Sequence, residues 1–137
     1  MTALSTGHFG CYFGTGRWRD DTGASHAYRV TLVVTRVTGG VRVRFTHEFF
    51  EEPEAEDVHL DLTLTGDVPS LLGFELGPVR GRGYQTADVL HYDIPLPGNL
   101  VSATHIFAAD GTCRVVGASE KNAAGRTIMW EEVLTRG

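Results

Sequence analysis

Short runs that alternate apolar and polar residues, separated by turns, fill this chain, with almost no helical spacing between them. The run 41–49 is the clearest. Val41, Val43, Phe45, His47 and Phe49 share one face, and Arg42, Arg44, Thr46 and Glu48 share the other. Successive side chains of a strand point to opposite sides, so a period of two predicts a half-buried antiparallel strand over 41–50. The same pattern predicts strands over 10–20 and 25–37, the second placing His26, Tyr28, Val30, Leu32 and Val34 on one face. Gly39-Gly40 is a hairpin signal between 25–37 and 41–50.

An acidic loop follows over 51–57, where Pro53 cannot donate to a ladder. Strand 58–65 alternates again, with Val58, Leu60, Leu62 and Leu64 on its apolar face. The stretch 66–83 is ambiguous: 70–76 fits a strand or one helical turn, ended by Gly77-Pro78, and 81–84 fits the start of another strand. Further strands are predicted over 88–95, 100–108, 113–119 and 127–135, joined by turns at 95–99, Asp110-Gly111 and 122–126. About eight to ten strands joined in sequence make an all-β chain, a single antiparallel up-and-down β-barrel. Such a barrel has an interior that side chains fill or that holds a small ligand.

Bulk properties narrow the classes. At 137 residues the chain is one domain by size. The net charge of −5 argues against nucleic acid as main partner. Three Arg-x-Arg pairs, Arg17/Arg19, Arg42/Arg44 and Arg80/Arg82, stand against that balance. On strands each pair points one way; a solvated outer face is the plainer reading, an anion-binding stripe the sharper one. No apolar stretch is long enough to span a membrane, and the N-terminus has neither a basic start nor an apolar core of a leader, so a cytoplasmic location is expected. Cys11 and Cys113 do not make a disulfide framework and lack metal-type spacing.

Gly16-Arg17-Trp18 places a Gly-x-Trp on the first strand. With the chain length and about ten sequential strands, it resembles the calycin group: lipocalins, fatty-acid-binding proteins and nitrobindin-like barrels. That resemblance implies that Trp18 closes one barrel end against a late arginine, Arg126 or Arg136. Nitrobindin-like members carry a haem-ligating histidine close to the C-terminus. The last histidine here, His105, lies far from that end, so no haem or other cofactor is expected.

Candidate chemistry comes from polar residues in apolar rows. His47 sits between Phe45 and Phe49, and Glu132 shares a face with Ile128, Trp130 and Leu134. A buried histidine or carboxylate needs partners, so each is either a satisfied core residue or part of a site. We expect His47 and Glu132 to form the polar floor of an apolar cavity walled by Phe45, Phe49, Trp130 and Tyr28. A ligand bearing a carboxylate or hydroxyl would then bind with a pH dependence near neutrality, where histidine titrates. His91, which shares a face with Asp93, and His105, whose side both apolar faces of its strand leave open, complete the candidate ligand-binding set. No nucleophile elbow, P-loop, dinucleotide fingerprint or zinc-type histidine pair is present.

Three functions fit. The first is a binding protein for a small apolar or amphipathic ligand. The second is an enzyme on the same barrel, of isomerase, cyclase or decarboxylase type, using an interior His/Glu pair. The third is an interaction module with a filled core. An open cavity separates the first two from the third, and a converging His–Glu pair favours the second. A homodimer is left open.

Overall fold

A computed structural model of the chain describes residues 3–120 and 125–137. Ten antiparallel strands run in sequence: β1 (Gly10–Asp20), β2 (Ser25–Val37), β3 (Gly40–Glu48), β4 (Val58–Val68), β5 (Leu71–Leu76), β6 (Val79–Gln85), β7 (Val89–Leu96), β8 (Asn99–Phe107), β9 (Thr112–Ser119) and β10 (Ile128–Arg136). Each pairs with its neighbours in the chain, and β1 also pairs with β10, which closes the barrel. Closure leaves no sheet edge to template aggregation. The ambiguous stretch resolves into two strands, β5 and β6, turned at Gly77 with φ +58°. Residues 122–124 of the predicted turn at 122–126 lie outside the described residues.

Alternation decides what lies inside. Tyr28, Val30, Leu32 and Val34 of β2, Val41 and Val43 of β3, and Leu62 and Leu64 of β4 are all buried. The Arg-x-Arg pairs fall on the outer wall, where Arg42 holds Asp61 through two bonds of 2.9 and 2.6 Å and Arg80 meets Glu75 at 3.4 Å. Exposed pairs of this kind contribute little stability. Cys113 is buried, Cys11 is exposed, and both are free thiols.

The barrel's two ends differ. At one, the N-terminal segment folds across the opening through a 3-10 turn at Thr6–His8. Leu4 is buried there and its N–H donates to Gln85 Oε1. The Tyr12 hydroxyl donates to the His8 carbonyl at 2.6 Å, and His8 stacks on Phe107. This plug covers that end of the barrel. At the other end, the β3–β4 loop bends over the rim, tied down by Trp18 Nε1–H donating to Glu52 (3.0 Å) and Ala27 N–H donating to Glu51 (2.7 Å).

Trp18 stands at one barrel end, but the partners the structure shows for it are Glu52 and His26 rather than the expected late arginine. β1 starts at the plugged end, so Trp18, near its far terminus, reaches the open rim. There its indole binds Glu52 and lies against His26 at 5.2 Å. Arg126 is exposed and its guanidinium binds Asp20 at 2.7 Å. No helix among the described residues is long and apolar enough to cross a membrane, which says nothing of a β-barrel.

Candidate functional site

The open end leads into a chamber of about 500 Å3 walled almost wholly by apolar groups. Phe45 and Phe49 come from β3 and its following loop, Tyr28 from β2, Ile94 from β7, Val101 from β8, and Trp130 from β10. Below it lies an inner chamber of about 40 Å3 that reaches His47, Tyr92, His105 and Glu132. Phe45, His47, Leu60, Ile94, Val101 and Trp130 line both, so the two spaces share one boundary.

Parity puts the polar groups there. In β10 the inward residues are Ile128, Trp130, Glu132 and Leu134, and Glu132 is only 4% exposed. Its Oε2 accepts a hydrogen bond from the Tyr28 hydroxyl at 2.8 Å and lies 3.1 Å from His47 Nε2. A lone buried carboxylate costs several kcal/mol, and the Tyr28 hydrogen bond together with the nearby imidazole offsets part of that. The His47 ring stacks on Phe45 at 4.5 Å and lies 4.7 Å from the Tyr28 ring, so aromatic faces fix its orientation.

A glycine makes this meeting possible. Gly16 of β1 pairs with Tyr28 on one side and with Glu132 on the other. A Cβ at Gly16 would lie 2.5 Å from Tyr28 Cζ and 2.7 Å from Glu132 Cγ. Phenol and carboxylate thus meet over the bare backbone of the strand between them. The Gly of the Gly-x-Trp pattern has a local steric reason here. Gly117 serves Trp130 likewise, since a Cβ there would lie 2.1 Å from the indole.

His105, on β8, is 2% exposed. Its Nε2 lies 3.1 Å from the Tyr92 hydroxyl, while Nδ1 has no hydrogen-bond partner among the described residues. Burial holds its pKa down at about 4, against the attraction of Glu132, so the ring is neutral at neutral pH. Burial, with the Glu132 charge added, lifts the Tyr28 and Tyr92 phenols well above their usual range, and both remain donors. With this nitrogen as the hydrogen-bond partner of the Tyr92 hydroxyl, we assign the phenol as donor to Nε2 and the imidazole proton to Nδ1. An unspent buried donor costs about 1–3 kcal/mol.

Of the predicted ligand-binding set, His47, Glu132, Tyr28, Phe45, Phe49, Trp130 and His105 border the two chambers. His91 does not. Leu90, Tyr92 and Ile94 take the inward positions of β7, which leaves His91 on the outer wall. There it binds Thr104 and Asp93 and stacks on Tyr84 at 5.2 Å. A polar partner at i+2 orients an imidazole equally well outside a barrel. Leu60, Leu76, Val101 and the rim residue Glu52 belong to the lining but were not singled out in the sequence. For Leu60 the signal was present, as a member of an alternating apolar row.

Comparison with known proteins adds the fold. No protein-family model matches the sequence, and no curated protein does. Among solved structures, the S-type phycobiliprotein lyase from Guillardia theta superposes with a TM-score of 0.72 at 10% identity, over 96% of this chain and 89% of that one. A protein of unknown function from the DUF3598 family of Nostoc punctiforme gives 0.70 at 13% identity; all of this chain is matched, and it spans 50% of that protein. Rv2717c from M. tuberculosis gives 0.65 at 14% identity, over 96% and 94% of the two chains. At such identities the likeness is one of fold: a lipocalin-like ten-stranded antiparallel barrel.

Proposed function

We propose that this protein binds a small apolar or amphipathic molecule in the barrel interior, its body in the outer chamber and its polar end on the His47–Glu132–Tyr28 floor. One observation carries the reading: an apolar chamber of about 500 Å3, open at the rim, ends on a cluster of buried hydrogen-bonding groups. Ligand sites have this composition, with many apolar walls and few convergent polar groups. The fold shared with a phycobiliprotein lyase supports an interior put to use, but a fold leaves function to the site. Native mass spectrometry of freshly purified protein tests the reading. A retained small molecule, lost when Leu60→Trp fills the lining, is expected; loading that survives this substitution would place the ligand elsewhere.

The His47–Glu132 contact also favours a second reading, an acid–base enzyme in which Glu132 orients and polarises His47. Glu132→Gln separates the two. It would abolish turnover of a bound substrate while leaving an apolar ligand in place.

A further inference from the structure

The inner chamber narrows the chemistry of the ligand's polar end, on the premise that the ligand-binding reading holds. Its volume of about 40 Å3 accommodates a group of roughly one to three heavy atoms, given that one water needs about 10–15 Å3 of such space. Two residues with unspent hydrogen-bonding capacity line it. His105 offers Nδ1–H, which has no partner among the described residues. Glu132 as a carboxylate has about four acceptor sites, of which the Tyr28 hydroxyl occupies one, with His47 Nε2 3.1 Å from the same oxygen. Among the described residues no lysine or arginine lines either chamber, and a second carboxylate, Glu52, stands at the rim of the outer one. The nearest cationic candidate, His47, is already engaged by Glu132.

We propose that the inner chamber takes an uncharged head that both donates and accepts, an alcohol or primary amide on an apolar body, accepting from His105 Nδ1 and donating to Glu132, and that it rejects carboxylate heads. A carboxylate would meet one donor but also the Glu132 charge, with no lysine or arginine among the described lining residues to offset it. An alcohol uses both capacities. Of the two heads expected from the sequence, the hydroxyl fits and the carboxylate does not.

Displacement of an apolar environment-sensitive dye by a straight-chain alcohol, amide and carboxylate of equal chain length tests this at neutral pH. The alcohol and amide should compete at concentrations at least about tenfold lower than the carboxylate, the weight of roughly one good hydrogen bond. His105→Phe should reduce that preference, and Glu132→Gln should strengthen carboxylate binding by removing the repelling charge while keeping the shape. The Gln variant keeps the test open if His105→Phe does not fold. A carboxylate that competes as well as the alcohol, or a preference unchanged in both variants, overturns the proposal. A dye that does not bind the wild-type protein at all overturns the ligand-binding reading beneath it.

Discussion

Tyr28 donates a 2.8 Å hydrogen bond to Glu132 across a separation of 104 residues, passing over Gly16 on the strand between them. The contact joins the second strand to the last through the first, so it forms only once the barrel closes. It ties closure of the fold to assembly of the floor.

Gly16→Ala tests that tie. The added Cβ would lie 2.5 Å from the Tyr28 ring and 2.7 Å from the Glu132 side chain, so one must move. Overpacking of this kind costs about 1–3 kcal/mol. Denaturant melts should show that loss, and ligand or dye affinity should fall with it. Unchanged stability and affinity would mean that the floor rearranges without consequence.

Tyr28→Phe removes one donor from Glu132 and keeps the ring against His47 and Phe49. Leaving a buried carboxylate one bond short should cost about 1–3 kcal/mol. Paired with His47→Ala, the effects on stability should be non-additive, because both groups contact the same carboxylate oxygen. A double-mutant cycle with no coupling would separate the two contacts energetically.

Stability should also depend on pH through His105. Its pKa is held at about 4 in the fold against about 6.5 in an unfolded chain. The unfolded state therefore takes up the proton first. This contribution is intact above about pH 6.5 and is lost as the pH falls toward about 4, by up to about 3 kcal/mol. The lowered carboxylates, Asp20, Asp61 and Asp110, release their contributions below that window. Denaturant midpoints measured between pH 7 and 4.5 should decline in the wild type and flatten in His105→Phe. A flat wild-type profile would mean that the imidazole is protonated inside the barrel.

Thiol reactivity should divide the cysteines. Burial, with the Glu132 charge added, pushes the Cys113 thiol up to about 12, so little thiolate forms near neutral pH. Cys11 lies exposed on the outer wall. A thiol-specific reagent should label Cys11 alone in the native protein and both on unfolding. Native labelling of Cys113 would reveal opening of the barrel.

Much of this was legible in the sequence, and for one reason. A strand has a period of two, and wherever one face was cleanly apolar the parity of a polar residue could be read. His47 between two phenylalanines and Glu132 beyond Trp130 are such cases, and the structure brings them to 3.1 Å. Where both faces carry apolar groups, parity is silent. His105 lies on β8, whose outer wall bears Leu100 and Ile106, both largely exposed, so its side could not be read. His91 misled differently: its partner Asp93 suggested a site, while the apolar row of Leu90, Tyr92 and Ile94 already claimed the interior. Trp18 shows the limit of a short motif, since three residues do not tell which partners a side chain meets at the barrel end. The N-terminal plug left no signal, because Leu4 and His8 act through contacts with distant residues such as Gln85 and Phe107.

On the proposed function, the chamber under the rim receives a ligand. Titration of an apolar environment-sensitive dye, followed by energy transfer from Trp18 and Trp130, both in the chamber lining, tests it most directly. Saturable binding at one site per chain, abolished by Leu60→Trp in a variant that still folds, is the predicted result. Binding that Leu60→Trp leaves unchanged, or no saturable binding at all, would contradict it.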